Sequence, residues 1–496
     1  MGTVEELERE QFIASKKPQI LAAFAITIGA YAIGTVCAWS APALPALKDS
    51  QHFGDLSDSE ITWCASIVPL GALVAGPGAG YMVDRLGRRL TTLIMSVPFV
   101  LGWLSIAFAP SMFVVICARF VTGLCVGTMS VVIPMYLAEI TEEKIRGGLS
   151  NLFPLMAGLG ILNTYIFGSV MNWFWLTLAN AVVPVTMFCF VYFLPESPVF
   201  LLSKGRIEKA RKALKWFRGA ISSDHIEPEL QQFRRGIDEK KDRKLSAKEF
   251  FSPSVIKPNV ICLALMFFQQ MSGSKHLTFT AIEPRINAVV FYNVKIFASA
   301  GTTIDPNLSS IIVGIVLLIS ITISAFLIDK AGRRILLIIS DSGMAIGLLG
   351  IGIYFYIKEQ NAIALGERID YCNSFNETGA ELQSESTPEG YTWMPLASLM
   401  LFVLSFNFGY GPVPWLYLGE LLPSHVKGFG AGIATAFSWL MAFLVTKSYE
   451  DFVCNLAPYG CYWMFAIISI LGTVFCFLFV PETKGMTLDQ IQAGFK

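Results

Sequence analysis

Two charged runs in this sequence match in composition and in place. Asp84-Arg85-Leu86-Gly87-Arg88-Arg89 follows one apolar stretch, and Asp329-Lys330-Ala331-Gly332-Arg333-Arg334 follows another in the second half. Beyond each, an acidic residue precedes a basic one by seven positions, Glu139 to Arg146 and Glu420 to Lys427. Each half then closes on a similar cap, Pro195-Glu196-Ser197 and Pro481-Glu482-Thr483. The chemistry open to these residue types is ion pairing. Ordinary positively charged loops would explain the Arg and Lys but not the repeated Asp, Glu and Gly. The spacing therefore predicts two related bundles whose ends on one side are held together by ion pairs that break as the bundles rock. Asp84, Arg88, Arg89, Glu139, Arg146, Glu196, Asp329, Arg333, Arg334, Glu420 and Lys427 are the candidate gate residues. Arg119, a charge inside an apolar stretch, is expected to pair with Glu139 or Glu196.

A second constellation is Gly409 to Glu420, GYGPVPWLYLGE, too apolar for a loop and too rich in glycine and proline for an ordinary core helix. Pro412 and Pro414 remove backbone donors and disfavour helical geometry in the residues before them. With Gly411 they predict a break that frees carbonyls close to the large ring of Trp415. In hydrocarbon such a break is tolerated only where the backbone is buried in protein or faces a water-filled cavity. A proline-kinked packing helix is the alternative.

The elements that must carry these residues follow from composition. With 54% hydrophobic and only 15% charged residues, a chain of 496 residues is expected to be an all-α, multi-pass membrane protein rather than a set of soluble domains. A span needs about 20 apolar residues. Twelve candidates fall near 19–41, 61–83, 91–109, 112–138, 148–170, 173–194, 257–300, 308–328, 335–357, 395–419, 429–447 and 461–480. The organisation predicted is a terminus (1–18), a six-helix bundle (19–202), a linker with short helices (203–256), a second six-helix bundle (257–482) and a tail (483–496). Between Ser203 and Lys257 the linker holds 15 of the 37 Lys and Arg residues, which places it and both termini in the cytoplasm.

The first 17 residues are polar, so no cleavable signal peptide is expected. Asn376-Glu377-Thr378 is a glycosylation candidate on the outer side, as is Asn307-Leu308-Ser309. Seven cysteines fall in apolar spans, whereas Cys372, Cys454 and Cys461 are assigned to loops on one side, where a disulfide could form. There is no nucleotide loop, metal-spacing cluster or nucleophile elbow, and no basic face interleaved with aromatics. An enzyme, a metal or other cofactor, and a nucleic-acid partner are therefore not expected.

Taken together, DRLGRR, DKAGRR, PESPVFLLSKGR, QQMSG, GYGPVPW and PETKGMTLDQI resemble the sugar porter branch of the major facilitator superfamily, over residues 20 to 490. SNLFPLMAGLGIL, ALKWFRG, TIDPNLSSIIVGIV and FLVTKSYEDF look most like the insect facilitated trehalose transporters and related facilitative glucose transporters. The resemblance implies a sugar held between the bundles mainly by the C-terminal half. Matched onto this chain, Gln269 and Gln270 would hydrogen-bond hydroxyls, Asn287 would add a donor and an acceptor, and Trp415 would stack on the sugar ring. Amides suit a neutral polyhydroxylated ligand because each offers donors and acceptors together. Against this, the glutamines could be interhelical glue. Adjacent helical residues point about 100° apart, which limits how much of the pair can face one ligand.

Three positions depart from the family pattern: Pro154, Leu317, and Ser438 at a site where asparagine is usual. The last two make the cavity less polar. Between Gly273 and Ile286 the run Ser274 to Arg285 interrupts the motif and puts Lys275, Glu283 and Arg285 near mid-membrane. Each such charge costs about 2.5 to 3.5 kcal/mol on insertion scales. The run is either a gene-model or splicing artefact or a real insertion that loops out and damages the pocket; His276 within it has no partner at ligand spacing.

The first span has no acidic residue, its neighbourhood being Thr35-Val36-Cys37, and no other intramembrane carboxylate is expected clear of a helix end. The reading is uncoupled transport of trehalose, or of a hexose such as glucose or fructose, by a monomeric plasma-membrane protein. A transport-dead sugar receptor is the alternative.

Overall fold

The structure is a computed structural model that describes residues 15–54, 56–220, 225–242, 252–272, 306–364, 393–422, 427–484, 486, 490–491 and 494–495. Asn287, Asn376, His276 and the whole Ser274 to Arg285 run lie outside the described residues, as do the side chains of Asn307, Asp329 and Lys427. Every regular element among the described residues is helical.

The first half consists of α1 (Lys17–Ser50), α2 (Asp58–Leu86), α3 (Arg88–Ala107), α4 (Met112–Ile140), the short α5 (Glu143–Ser150), α6 (Leu152–Val170) and α7 (Trp173–Tyr192). Three short helices follow, α8 (Pro198–Ser203), α9 (Ile207–Arg218) and α10 (Glu227–Asp242). The second half has α11 (Pro253–Met271), α12 (Pro306–Ala331), α13 (Arg333–Ala364), α14 (Met394–Phe408), α15 (Val413–Glu420) and α16 (Lys427–Phe479). The last is two helices joined at a kink, where Ala457 takes φ 56 and ψ 165 immediately before Pro458. Ten stretches among the described residues are long and apolar enough to cross a membrane, and Val255–Met271 and Gly430–Val445 are shorter apolar helices.

Local signals set the starts. Ser57 and Glu60 form a capping box at α2, the Ser57 hydroxyl accepting from Glu60 N at 3.3 Å and Ser57 N donating to Glu60 Oε2 at 2.9 Å. Asn172 caps α7 by accepting from Trp175 N at 3.0 Å. Burial against lipid offers no hydrophobic drive between spans, so close contact of small residues joins them. Gly123 and Gly127 on α4 show this: a Cβ at either would lie 2.5 Å from a carbonyl of α2, that of Val68 or Ala72.

Each half has its own apolar core, one around Trp39, Trp103 and Tyr136, the other around Tyr354, Tyr410 and Tyr417. The halves meet along two seams, α2 with α16 and α6 with α12. The linker helices dock on the first half. Arg218, 2% exposed, donates to Glu229 Oε1 at 2.6 Å and to the Ile140 carbonyl at 2.8 Å. Further out, hydrogen bonds to Glu208 and Glu227 raise the already high pKa of Arg211.

The cysteine assignment needs correction. Cys454 and Cys461 lie on α16 rather than in a loop, and Cys461 is buried and free. Of the cysteines assigned to spans, Cys64, Cys125, Cys262 and Cys476 are buried, but Cys117 and Cys189 are exposed on their helices.

Candidate functional site

The membrane path is broken where the prolines fall. α14 ends at Phe408, Gly409 turns with φ −142 and ψ −63, and α15 restarts at Val413 with Pro414 in its first turn. Gly409 is needed there because a Cβ would lie 2.3 Å from the Leu336 carbonyl of α13. The backbone groups freed by the break are caught one by one. Ser340 Oγ accepts from Tyr410 N at 2.9 Å and donates to the Ser405 carbonyl at 2.7 Å. Gln269, at the end of α11, donates from Nε2 to the carbonyls of Tyr410 at 2.6 Å and Gly411 at 3.0 Å.

The two adjacent glutamines therefore divide their work. Gln269 stitches α11 to the break. Gln270 turns the other way, and its Nε2 donates to Ser438 Oγ on α16 at 2.7 Å and to Gln269 Oε1 at 3.3 Å. Gln270 Oε1 is buried with no hydrogen-bond partner among the described residues. A buried amide oxygen left unpaired costs about 1–3 kcal/mol, which a ligand hydroxyl would offset. The structure thus brings together Gln269, Gln270, Ser438 and the carbonyls around Gly411. Trp415 stands one turn beyond the break on α15, 37% exposed. Leu317, 8% exposed, packs against Gly158 across the α6–α12 seam.

The charged repeats form two clusters of the same design. In the first, Arg88 pairs with Glu139 at 2.7 Å, Glu139 also accepts from the Ser197 hydroxyl, and Glu196 accepts from the backbone N of Arg88 at 3.0 Å and of Arg89 at 3.1 Å. In the second, Arg333 pairs with Glu420 at 3.3 Å, Thr483 Oγ1 donates to Glu420 at 2.6 Å, and Glu482 accepts from Arg333 N at 3.0 Å and Arg334 N at 3.1 Å. Each cluster is completed by a tyrosine hydroxyl on the proline carbonyl of the cap, Tyr136 to Pro195 at 2.6 Å and Tyr417 to Pro481 at 2.9 Å. Gly87 and Gly332 share φ +95. In each case the cap glutamate carboxylate sits where a Cβ would go.

Both clusters lie inside their own half, which corrects the expectation of pairs holding the bundles to each other. The reason is geometric: each Arg-Arg turn opens a helix whose neighbours are the acidic helix end and cap of the same half. Asp84 is exposed and takes no hydrogen bond or ion pair among the described residues. Arg146 reaches the Thr141 carbonyl at 3.3 Å rather than Glu139.

Arg119 is a further correction. It lies two turns into α4, at the end away from Glu139, and is fully buried. It donates to the Val36 carbonyl at 2.9 Å, Ser40 Oγ at 2.5 Å and the Cys64 carbonyl at 3.3 Å, with its guanidinium 5.1 Å from the Trp39 ring centroid.

Asp341 overturns the expectation that no carboxylate lies clear of a helix end. It is 0% exposed, eight residues into α13, with the Ser469 hydroxyl beside it and neither oxygen in hydrogen-bond geometry among the described residues. The polar Ser340-Asp341-Ser342 inside an apolar run was the signal in the sequence that pointed to it. Among the described residues no cluster of His, Cys, Asp and Glu could hold a metal.

Residues 19–495 match the family described as sugar (and other) transporter. The chain is 37% identical over 478 residues to a facilitated trehalose transporter of Polypedilum vanderplanki, covering 96% of this chain and 87% of that one. It is 38% identical to a facilitated trehalose transporter of Drosophila sechellia, spanning 96% of itself but 51% of that longer relative. Among solved structures, the proton:xylose symporter XylE bound to 6-bromo-6-deoxy-D-glucose superposes with a TM-score of 0.74 at 23% identity, covering 97% of this chain and 100% of the other. The inward-open form of the E. coli xylose transporter gives 0.71 at 23% identity, covering 96% and 99%. At that identity the likeness speaks for the fold, which is that of the major facilitator sugar porters.

Proposed function

This chain belongs to the sugar (and other) transporter family, a multi-pass membrane protein of the major facilitator fold, and we propose that it carries trehalose down its gradient by alternating access. The observation that carries the reading is the unpaired, buried Oε1 of Gln270, whose amide is hydrogen-bonded to the Gln269 side chain that holds the carbonyls of a broken helix. It is a neutral site rich in donors and acceptors, suited to a polyhydroxylated ligand and unsuited to a charged one. The names of the facilitated trehalose transporters at 37% and 38% identity support the same substrate. A hexose is the runner-up, because Ser438 offers one hydroxyl where an amide would offer more contacts.

Two rigid units, 19–202 and 257–482, would rock about the α2–α16 and α6–α12 seams, each keeping its Arg–Glu cluster intact. The basic linker supports a cytoplasmic placement of that side and of both termini, in the plasma membrane, with the monomer as the working unit. Trp415 would stack on the sugar from α15, and Asn287 would add an amide from the seventh span. Asn376 would carry a glycan on the opposite side.

Counterflow of labelled trehalose into liposomes preloaded with trehalose, glucose or fructose tests the assignment. Exchange with trehalose, lost on Trp415→Ala, supports it; binding without exchange would make the chain a receptor.

A further inference from the structure

On the α2–α16 seam, at the end opposite the linker, one aromatic ring touches two groups of the other half. Trp63 lies in the second turn of α2, about 35 Å along the helix from the Gly87 turn at 1.5 Å per residue. Its ring meets Phe443 of α16 with centroids 6.4 Å apart and planes at 39°, and the Lys447 ammonium stands 4.8 Å from the Trp63 centroid. Phe443 and Lys447 are one turn apart, and Trp439 is one turn before them on the same face. Trp439, 7% exposed, packs in the apolar core of the first half rather than in its own. The stripe Trp439-Phe443-Lys447 therefore belongs to the opposite half by contact. Its neighbour Ser438 accepts from Gln270 at 2.7 Å, which ties the same helix to the sugar-facing amide.

The charged clusters near the linker stay within their halves, whereas this contact crosses between them. We propose that Trp63, Phe443 and Lys447 form the gate that closes the end opposite the linker and releases once in each transport cycle. The proposal rests on the transport reading above. A cation over an indole face is well suited to such a gate, since it is attractive without the desolvation that a buried ion pair requires and is weak enough to break thermally.

The test uses the full chain in liposomes with Trp63→Cys and Lys447→Cys combined, and each single variant as a control for the native cysteines. A short bismaleimide that cleaves under reduction is the cross-linker, and mobility after proteolysis between the two positions reads the link without reference to sugar flux. The expected result is that linking abolishes uptake, that cleavage restores it, and that sugar still binds from the linker side. In parallel, Lys447→Gln should lower the KM for sugar presented from the end opposite the linker by about two- to fivefold, while Lys447→Arg keeps the wild-type value. A pair that cannot be linked, a linked protein that transports at the cleaved rate, or Gln and Arg variants with the same KM overturns the gate. Failure of the unsubstituted chain to move sugar overturns the transport reading, and the gate with it.

Discussion

Gln270 donates to Ser438 Oγ at 2.7 Å and leaves its own Oε1 buried and unpaired, so two residues on separate helices fix an amide with one acceptor to spare. That geometry makes Gln270 the side chain that a sugar hydroxyl would complete. Gln270→Leu should lower kcat/KM for uptake by about 10- to 200-fold, with a smaller loss of thermal stability than Gln269→Leu gives, because its Oε1 has no protein partner and its Nε2 serves only the side chains of Ser438 and Gln269. Ser438→Ala should give a smaller loss, and Ser438→Asn should shift the preference between trehalose and glucose. Uptake and melting temperature measured on the same preparations check both.

Gln269 should weigh more on stability. Its Nε2 serves the carbonyls of Tyr410 and Gly411, so Gln269→Leu leaves two backbone acceptors unpaired in a membrane interior. We expect a stability loss of about 1–3 kcal/mol, read as a lower melting temperature in detergent, accompanying the loss of uptake.

The two charged clusters share a design but not a degree of burial. The side chains of Arg88 and Glu139 are 9% and 16% exposed at 2.7 Å, against 17% and 25% at 3.3 Å for Arg333 and Glu420. Arg88→Gln should cost about 3–5 kcal/mol by stranding Glu139, Arg333→Gln should cost less, and the Arg88→Gln, Glu139→Gln pair should recover part of the loss. A double-mutant cycle on thermal unfolding measures this coupling.

Gly87→Ala and Gly332→Ala should each destabilise their turn by about 1–3 kcal/mol from the positive φ alone. Crowding of the new methyl against Glu196 or Glu482 adds to that. Serine at either position should be no better than alanine, because the cost comes from the Cβ that both carry.

Uncoupled transport gives a definite expectation for Asp341. Although its carboxylate is buried in α13, Asp341→Asn should sustain uptake close to the unsubstituted rate, because no driving proton has to bind there. Loss of uptake in this variant with the fold intact would point to a coupled mechanism.

Much of the architecture was legible because membrane spans announce themselves by length and hydropathy. The broken helix was legible because Pro412 and Pro414 can act on the backbone in few ways. The pairing of charges was legible in type but not in partner. Spacing placed Arg88 and Glu139 on the same side of the membrane, yet whether a pair joins two halves or two helices of one half depends on packing that the repeat does not encode. Arg119 shows a related limit: its partners include the carbonyls of Val36 and Cys64, and backbone partners leave no mark in a sequence. Asp341 is close in sequence to the basic Arg333-Arg334 turn, yet eight helical residues carry it about 12 Å inward from that turn. The Trp63–Lys447 contact had no signal beyond the letters of FLVTKSYEDF, since only the α2–α16 seam brings the two together.

The measurement that bears most directly on the account is labelled trehalose uptake by liposomes holding the purified chain, with and without an imposed pH gradient. Facilitated transport predicts that the internal concentration rises to the external one and stops there, with the same plateau whether or not the gradient is present. Accumulation above the external concentration driven by the proton gradient, or saturable binding with no internal trehalose, would contradict it.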